Sequence, residues 1–498
     1  MRIDGRTLGG SPRFEADVAV VGSGPAGASV ARVAARAGAR VVVLEAGPWI
    51  EPEAFPESAF SAMSQSYRGM GAQVLVGPAP IPYLQGRMVG GSSPINGAIC
   101  WRTPRDVHQA WIDADPALGE ALPWSALEAA TDEVEARLGV APTDPRITGP
   151  KNLLMARGAE ALGLSHRPIR RNVRGCEGLG RCMQGCPKGR KLSVDRTLLA
   201  DAMAAGAVVL SSVEVHGLSR RRGRVTHVSG RAAGGGAVRV RADRVVLAAS
   251  AVQTPALLLR NGIRHGPVGR HFTCHPGVSM AGRFPEPVRM WEGATQGHEV
   301  TGLRAEGLKF EALGFGLGIL AGRLDGFGQP LSAQVDDLAH WLDWGAAIRA
   351  TAEGRVRVVM GQPVVSFRPA ADDVRRFRRG LRVLGEMMFA AGAERVSPGV
   401  RGFPESVAHP KELQRLEEEG PTHPGAFMAA VTHMFGTCRM GSDPERSVVG
   451  PDFRHHAVDG LYVADSSVFP SNLGVNPQIP VMAVATLCGR RVLESLQG

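Results

Sequence analysis

The sequence predicts an α/β chain with a Rossmann-type dinucleotide-binding unit near its start, interleaved with an α+β region. Three observations predict it. The apolar run Asp17–Val21 passes through a glycine-rich turn into an alanine-rich helix, and a second apolar strand follows at 40–44. Strand-like segments and turns fill residues 207–248, with the pieces between Gly217 and Gly236 patterned as a β-meander inserted into an α/β sheet. A third apolar-faced segment, with Val481, Val484, Cys488, Val492 and Leu496 on one side and Pro480 in its first turn, reads as a long helix. At 498 residues the chain suits two or three closely packed domains.

The first βαβ unit carries the sharpest signal. Gly22, Gly24 and Gly27 form a G-x-G-x-x-G turn between strand and helix, and Glu45 follows 23 residues after the first glycine. Gly22 allows the tight turn, Gly24 lets backbone approach a pyrophosphate, and Gly27 lets helix and strand pack closely. The free N–H groups and dipole of the helix start favour the anion, and Glu45 is placed to accept from ribose hydroxyls. Residues 48–85 contain many prolines and read as irregular, and 105–170 carries helical signals such as Leu127, Val134 and Leu138 on one face.

Composition excludes several classes. The formal charge is +10, but the 57 basic residues are 52 arginines and 5 lysines spread along the chain. Their clusters are short, as at Arg220–Arg224 and Arg375–Arg379, so solvated surface arginine is expected rather than a nucleic-acid face. No apolar run is long enough for a transmembrane helix, and the start lacks a signal-peptide pattern, so a cytoplasmic location is expected.

Beyond that unit the sequence resembles the glucose–methanol–choline oxidoreductases. The resemblance rests on LEAGP at 44–48, GRMVGGSSPINGAICWR at 86–102, and the block from HMFGTCRMG at 433–441 to GLYVADSSVFPSNLGVNPQIPVMAVATL at 460–487. It implies FAD rather than NAD as cofactor. Gly90 and Gly91 permit close backbone approach, and Ser92, Ser93 and Asn96 offer short polar groups for the pyrophosphate and isoalloxazine edge. Ile95 stands where some members carry a flavin-linked histidine, so FAD is expected to bind non-covalently. Val213 resembles the family position whose backbone meets adenine, and Asp465 the position that contacts the ribityl or pyrophosphate region; a local turn contact is the alternative for Asp465. Pro477 and Gln478, at the start of the last helix, are expected near the pyrimidine side of the flavin, where the helix dipole favours an anionic reduced form.

The same resemblance pairs His433, ahead of a GTxxMG motif, with Asn476 in a V-N-P motif 43 residues later. Removing hydride from an alcohol carbon requires a base for the hydroxyl proton and support for the developing alkoxide. His433 is the expected base and Asn476 the amide donor. The expected FAD-binding domain comprises 15–105, 195–275 and 440–498. The substrate-binding domain comprises 106–194 and 276–439, including a cysteine-rich loop at 175–191.

That loop places Cys176, Cys182 and Cys186 in a C-x5-C-x3-C-P array. Two readings stay open: a structural loop, which is preferred, and a [3Fe–4S] cluster held by three thiolates. Zinc is less suited because a structural site wants four ligands. The expected function is oxidation of a small-molecule alcohol, with a dehydrogenase favoured over an oxidase because a cluster or electron-carrying partner would suit the loop. A flavin-dependent lyase and a non-catalytic flavoprotein are the alternatives. Oxygen, a quinone and a redox protein all remain open as acceptor, and residues 280–430 and 60–85 carry no readable substrate code.

Overall fold

The computed structural model describes residues 1–314, 316 and 327–497. Residues 315 and 317–326 of the expected substrate region lie outside the described residues. Two sheets organise what is described. The first runs Arg2–Asp4, Val208–Ser211, Val41–Leu44, Arg13–Val21, Ala237–Leu247, Arg224–Ala232 and Val213–Arg221, with Leu461–Val463 also paired to Ala237–Leu247. Neighbours from Arg2–Asp4 through Ala237–Leu247 are parallel, and the last three strands form the antiparallel meander expected from their turn residues.

Val18, Val20, Val43, Val209, Val245 and Val246 are fully enclosed, which explains why these strands read as continuous apolar runs rather than alternating ones. Helix Pro25–Arg36 packs beside them, and helix Gln478–Gln497 lies across it. Gly489 makes that crossing close: a Cβ there would come within 3.0 Å of Val33 Cβ. Arg32 then pins the helix to its neighbours through Glu133 at 2.5 Å and Asp201 at 3.0 Å.

The second sheet runs Gln73–Leu75, Ile81–Tyr83, Ala429–Phe435, Thr273–Arg283, Trp341–Ile348, Leu308–Leu313, His298–Val300 and His166–Pro168, with Arg395–Ser397 also on Thr273–Arg283. Helix Ala371–Ala390 packs on it through Phe377, Leu381 and Leu384. Three placements differ from the sequence reading. Residues 48–85 are not wholly irregular: Ser58 accepts from Ser61 N–H to start helix Ala59–Ser66, and two short strands follow. Those strands pair in the second sheet, through the Ile81–Tyr83 and Ala429–Phe435 contact, although the sequence groups them with the first domain. Strand Arg2–Asp4, ahead of the expected boundary at 15, is an edge of the first sheet.

Candidate active site

The glycine turn sits at the C-terminal end of strand Arg13–Val21. Gly22 has φ 99°, a conformation side chains disfavour, and a Cβ there would fall 2.4 Å from Ala248 O. A Cβ on Gly27 would fall 1.9 Å from Gly22 O, so the helix rests on the turn more closely than any side chain permits. Gly24 caps the helix by backbone alone, and no side chain bonds the N–H groups of its first turn. The nearest atom to a Cβ on Gly24 is Gly91 Cα, so the two predicted glycine loops face one another.

One cleft starts at this turn and is lined by Gly22, Gly24, Glu45, Gly91, Ser92, Ser93, Asn96, Val213, His433, Asp465, Asn476, Pro477 and Gln478. Gly27 and Gly90 are not among its lining residues. Gly27 serves packing, and Gly90 donates its N–H to Ser23 Oγ at 3.0 Å. Glu45 is buried and accepts from Ser23 N–H at 3.0 Å, Ser23 Oγ at 2.7 Å and Gly47 N–H at 2.9 Å. Its carboxylate is therefore held in place at the rim of the cleft before any ligand arrives.

Two other placements qualify the expected contacts. The Val213 N–H already donates to Glu45 O at 2.7 Å, so it is not free for adenine. Asp465 accepts from Ser250 N–H at 3.0 Å, Thr254 Oγ1 at 2.5 Å and Ser467 N–H at 2.9 Å, so its carboxylate works first as a local brace. Burial holds its pKa above the usual carboxylate value. Asn96 donates from Nδ2 to Gln478 Oε1 at 3.0 Å, and Gln478 donates from Nε2 to Ile99 O at 2.7 Å, tying the GGSS loop to the start of the last helix.

His433 projects from strand Ala429–Phe435, and Asn476 from the segment just before helix Gln478–Gln497. Both line the cleft. His433 Nδ1 is 3.3 Å from His275 Nδ1, and His275 Nε2 accepts from Gly474 N–H at 2.8 Å. With Nε2 committed as acceptor, neutral His275 carries its proton on Nδ1 and donates it toward His433 Nδ1. Neutral His433 then carries its own proton on Nε2. Desolvation, reinforced by the Lys309 charge, pushes the His433 pKa down to about 3, so the ring is neutral at physiological pH. Behind Asn476 stands a group the sequence reading missed. Lys309 Nζ donates to Asn476 Oδ1 at 2.8 Å and pairs with Glu299 at 2.9 Å and with Glu311.

The residues present fit FAD on two grounds. The uncapped helix start and the facing glycines leave room for a pyrophosphate that side chains would fill. The buried Gln85 Oε1 also lines the cleft with no hydrogen-bond partner, an acceptor left for a bound group.

Comparison with known proteins decides the family. Family models described as GMC oxidoreductase match residues 29–277 and 350–485. The chain belongs to the GMC oxidoreductases. An uncharacterised GMC-type oxidoreductase of Mycobacterium tuberculosis is 35% identical over 97% of this chain and 76% of its own length. A long-chain-alcohol oxidase of Arabidopsis thaliana is 28% identical over 97% of this chain and 69% of its own. The fold matches that of Aspergillus oryzae formate oxidase with a TM-score of 0.75 at 16% identity, covering 98% of this chain and 99% of that one. GMC oxidoreductases bind FAD, so the chain is a flavoprotein.

In this GMC oxidoreductase the cysteine loop gives no support to a metal centre. Among the described residues no group of three or more His, Cys, Asp or Glu side chains comes together to hold a metal ion, so the [3Fe–4S] reading of Cys176, Cys182 and Cys186 is left unsupported beside the preferred structural one. The thiols have other partners: Arg171 Nη2 donates to Cys182 Sγ at 3.1 Å, and Arg190 N–H to Cys186 Sγ at 3.3 Å. Burial raises the Cys182 pKa, but the Arg171 and Lys191 charges outweigh it and hold the thiol below its ordinary value. The loop serves as a brace instead. Lys191 Nζ donates to Asn96 O at 2.8 Å and to Cys182 O at 2.9 Å, and Tyr67 Oη donates to Met183 O at 2.6 Å. Both Met183 and Tyr67 line the cleft. Sequence spacing flagged the cysteines, whereas the residues that make the loop useful are the lysine and tyrosine around them.

Proposed function

We propose that the protein oxidises an alcohol carbon with non-covalent FAD as hydride acceptor, and that His433 and Asn476 act on the substrate oxygen. The observation that carries this reading is the shared cleft. Two residues 43 positions apart, one on a strand of the second sheet and one just ahead of the last helix, line the same space as the glycine turn and Glu45. FAD supplies the hydride acceptor when bound. Gly22, Gly24, Ser92, Ser93 and Asn96 would hold its pyrophosphate and ring edge, and Glu45 its ribose. Pro477 and Gln478 would bring the helix start toward the pyrimidine side, and Ile95 offers no nucleophile for a covalent link.

Asn476 has its Oδ1 occupied by Lys309, so its Nδ2 hydrogens are the group available to a developing alkoxide. His433 is neutral and takes the hydroxyl proton. Because its resting proton sits on Nε2, the base form is reached only by releasing the contact with His275. A small-molecule alcohol is supported by the relatives named alcohol oxidases. The ground for favouring a dehydrogenase was an electron-carrying loop. Among the described residues no metal-holding group forms there, so that ground is unsupported, and the relatives named oxidases favour oxygen as acceptor. Anaerobic stopped-flow mixing of the holoenzyme with a panel of primary and secondary alcohols tests the proposal. Bleaching of the flavin band by at least one of them is expected, and its absence across the panel would refute the reading.

A further inference from the structure

We infer that Lys309 is the positioning residue of this site, fixing the Asn476 amide so that its NH2 group faces the cleft; the inference rests on the alcohol-oxidising reading above. An asparagine amide has two nearly isosteric orientations, and only one of them presents donors to a substrate oxygen. An ammonium group has three donors and no acceptor. The Asn476 atom 2.8 Å from Lys309 Nζ is therefore the oxygen, and the reversed amide would set NH2 against NH3+.

Lys309 is itself held from both sides. Its remaining donors go to Glu299 and Glu311. Glu299 is fixed in turn by Trp101 Nε1 at 2.7 Å and Arg167 Nε at 2.8 Å, and Glu311 by Gln296 Nε2 at 2.8 Å. Lys309 and Glu299 are 2% and 1% exposed, so the ammonium has no water to exchange its partners for. Lys309 does not line the cleft; it reaches the cleft by its hydrogen bond to Asn476, and its charge is also felt by His433. A cation against the amide oxygen also polarises the amide and strengthens its outward donors. The carboxylates keep that cation charged: burial favours the neutral amine, but Glu299 and Glu311 outweigh it and raise the Lys309 pKa.

The test uses FAD-loaded Lys309→Met, Lys309→Arg, Asn476→Ala and Lys309→Met/Asn476→Ala proteins, with FAD content measured for each. Lys309→Met is expected to lower kcat about 10- to 100-fold, less than the roughly 10²- to 10³-fold cost of deleting a donor outright because the amide itself remains, while KM stays within about threefold. In the Asn476→Ala background the same change is expected to matter less than about threefold, and Lys309→Arg to recover much of the loss. Equal losses in both backgrounds, or an unchanged kcat in Lys309→Met, would overturn the inference. Should Lys309→Met fold poorly because Glu311 is stranded, Lys309→Met/Glu311→Gln removes that charge and takes its place.

A second measurement needs no turnover. Asn476→Asp should keep its urea midpoint at pH 7 when Lys309 is present and lose it clearly in the lysine-free background; equal shifts in the two would refute the contact. If no alcohol reduces the unmodified holoenzyme, the alcohol reading fails, and the unfolding comparison still decides the Lys309–Asn476 link.

Discussion

At the scale of single residues, the proposed chemistry rests on a neutral imidazole and a fixed amide. His433→Ala should slow flavin reduction by about 10²- to 10⁴-fold while leaving FAD bound, as stopped-flow and absorbance spectra would show. Buried neutral histidines also set an acid limit on stability. The His433 pKa is pushed down to about 3, those of His298 and His455 to about 4, and that of His275 well below its ordinary value, burial leading in each case. Between these values and about 6.5 the unfolded chain binds more protons than the folded one, so stability rises with pH through that window and is lost on acidification. The melting temperature should fall steadily from pH 7 to pH 4.5, and His433→Phe should fall less steeply. His433 and Asn476 were legible in the sequence because each lies in a distinctive local motif. Lys309 was not: Glu311 shares its strand, but Glu299 comes from another strand and Asn476 is 167 positions away. A lone lysine in an apolar strand gives no sign of what it will meet.

At the scale of elements, the glycine turn shows what local sequence can specify. Gly22 and Gly27 each answer a geometric demand that strand, turn and helix impose together, and Gly27 has the stricter one, whereas a Cβ on Gly24 would meet nothing nearer than Gly91 Cα at 3.7 Å. In Gly27→Ala a methyl group would meet Gly22 O at 1.9 Å and Val20 Cγ1 at 3.2 Å. The variant should purify with little FAD and a lowered melting temperature, both read on the same sample. The cysteine loop shows the opposite case. Spacing alone admits a cluster or a brace, and the choice rests on Arg171, Lys191 and Tyr67, whose approach is tertiary. Residues 59–83 were misread for a related reason. Prolines mark turns well, but they do not reveal that Ile81–Tyr83 will find the edge of Ala429–Phe435 in another part of the chain.

At the scale of the whole molecule, the cleft lies where the two sheets meet. Glycine turn and Glu45 belong to the first sheet, and His433 to the second. FAD bound there should stabilise both together, by about 4 kcal/mol when free FAD is a thousandfold above its dissociation constant. Differential scanning calorimetry should therefore show a single transition that moves up by several degrees with added FAD, whereas an unmoved transition would mean that the folded protein does not bind FAD. The packing of helix Gln478–Gln497 on Pro25–Arg36 has a consequence for biogenesis. Val30 and Val33 meet Gly489 across more than 450 residues, so a ribosome-bound chain displays an uncovered apolar groove while all of those residues are made. Holdase chaperones would find their target on that exposed helix face, and release from them would coincide with the moment the flavin pocket closes.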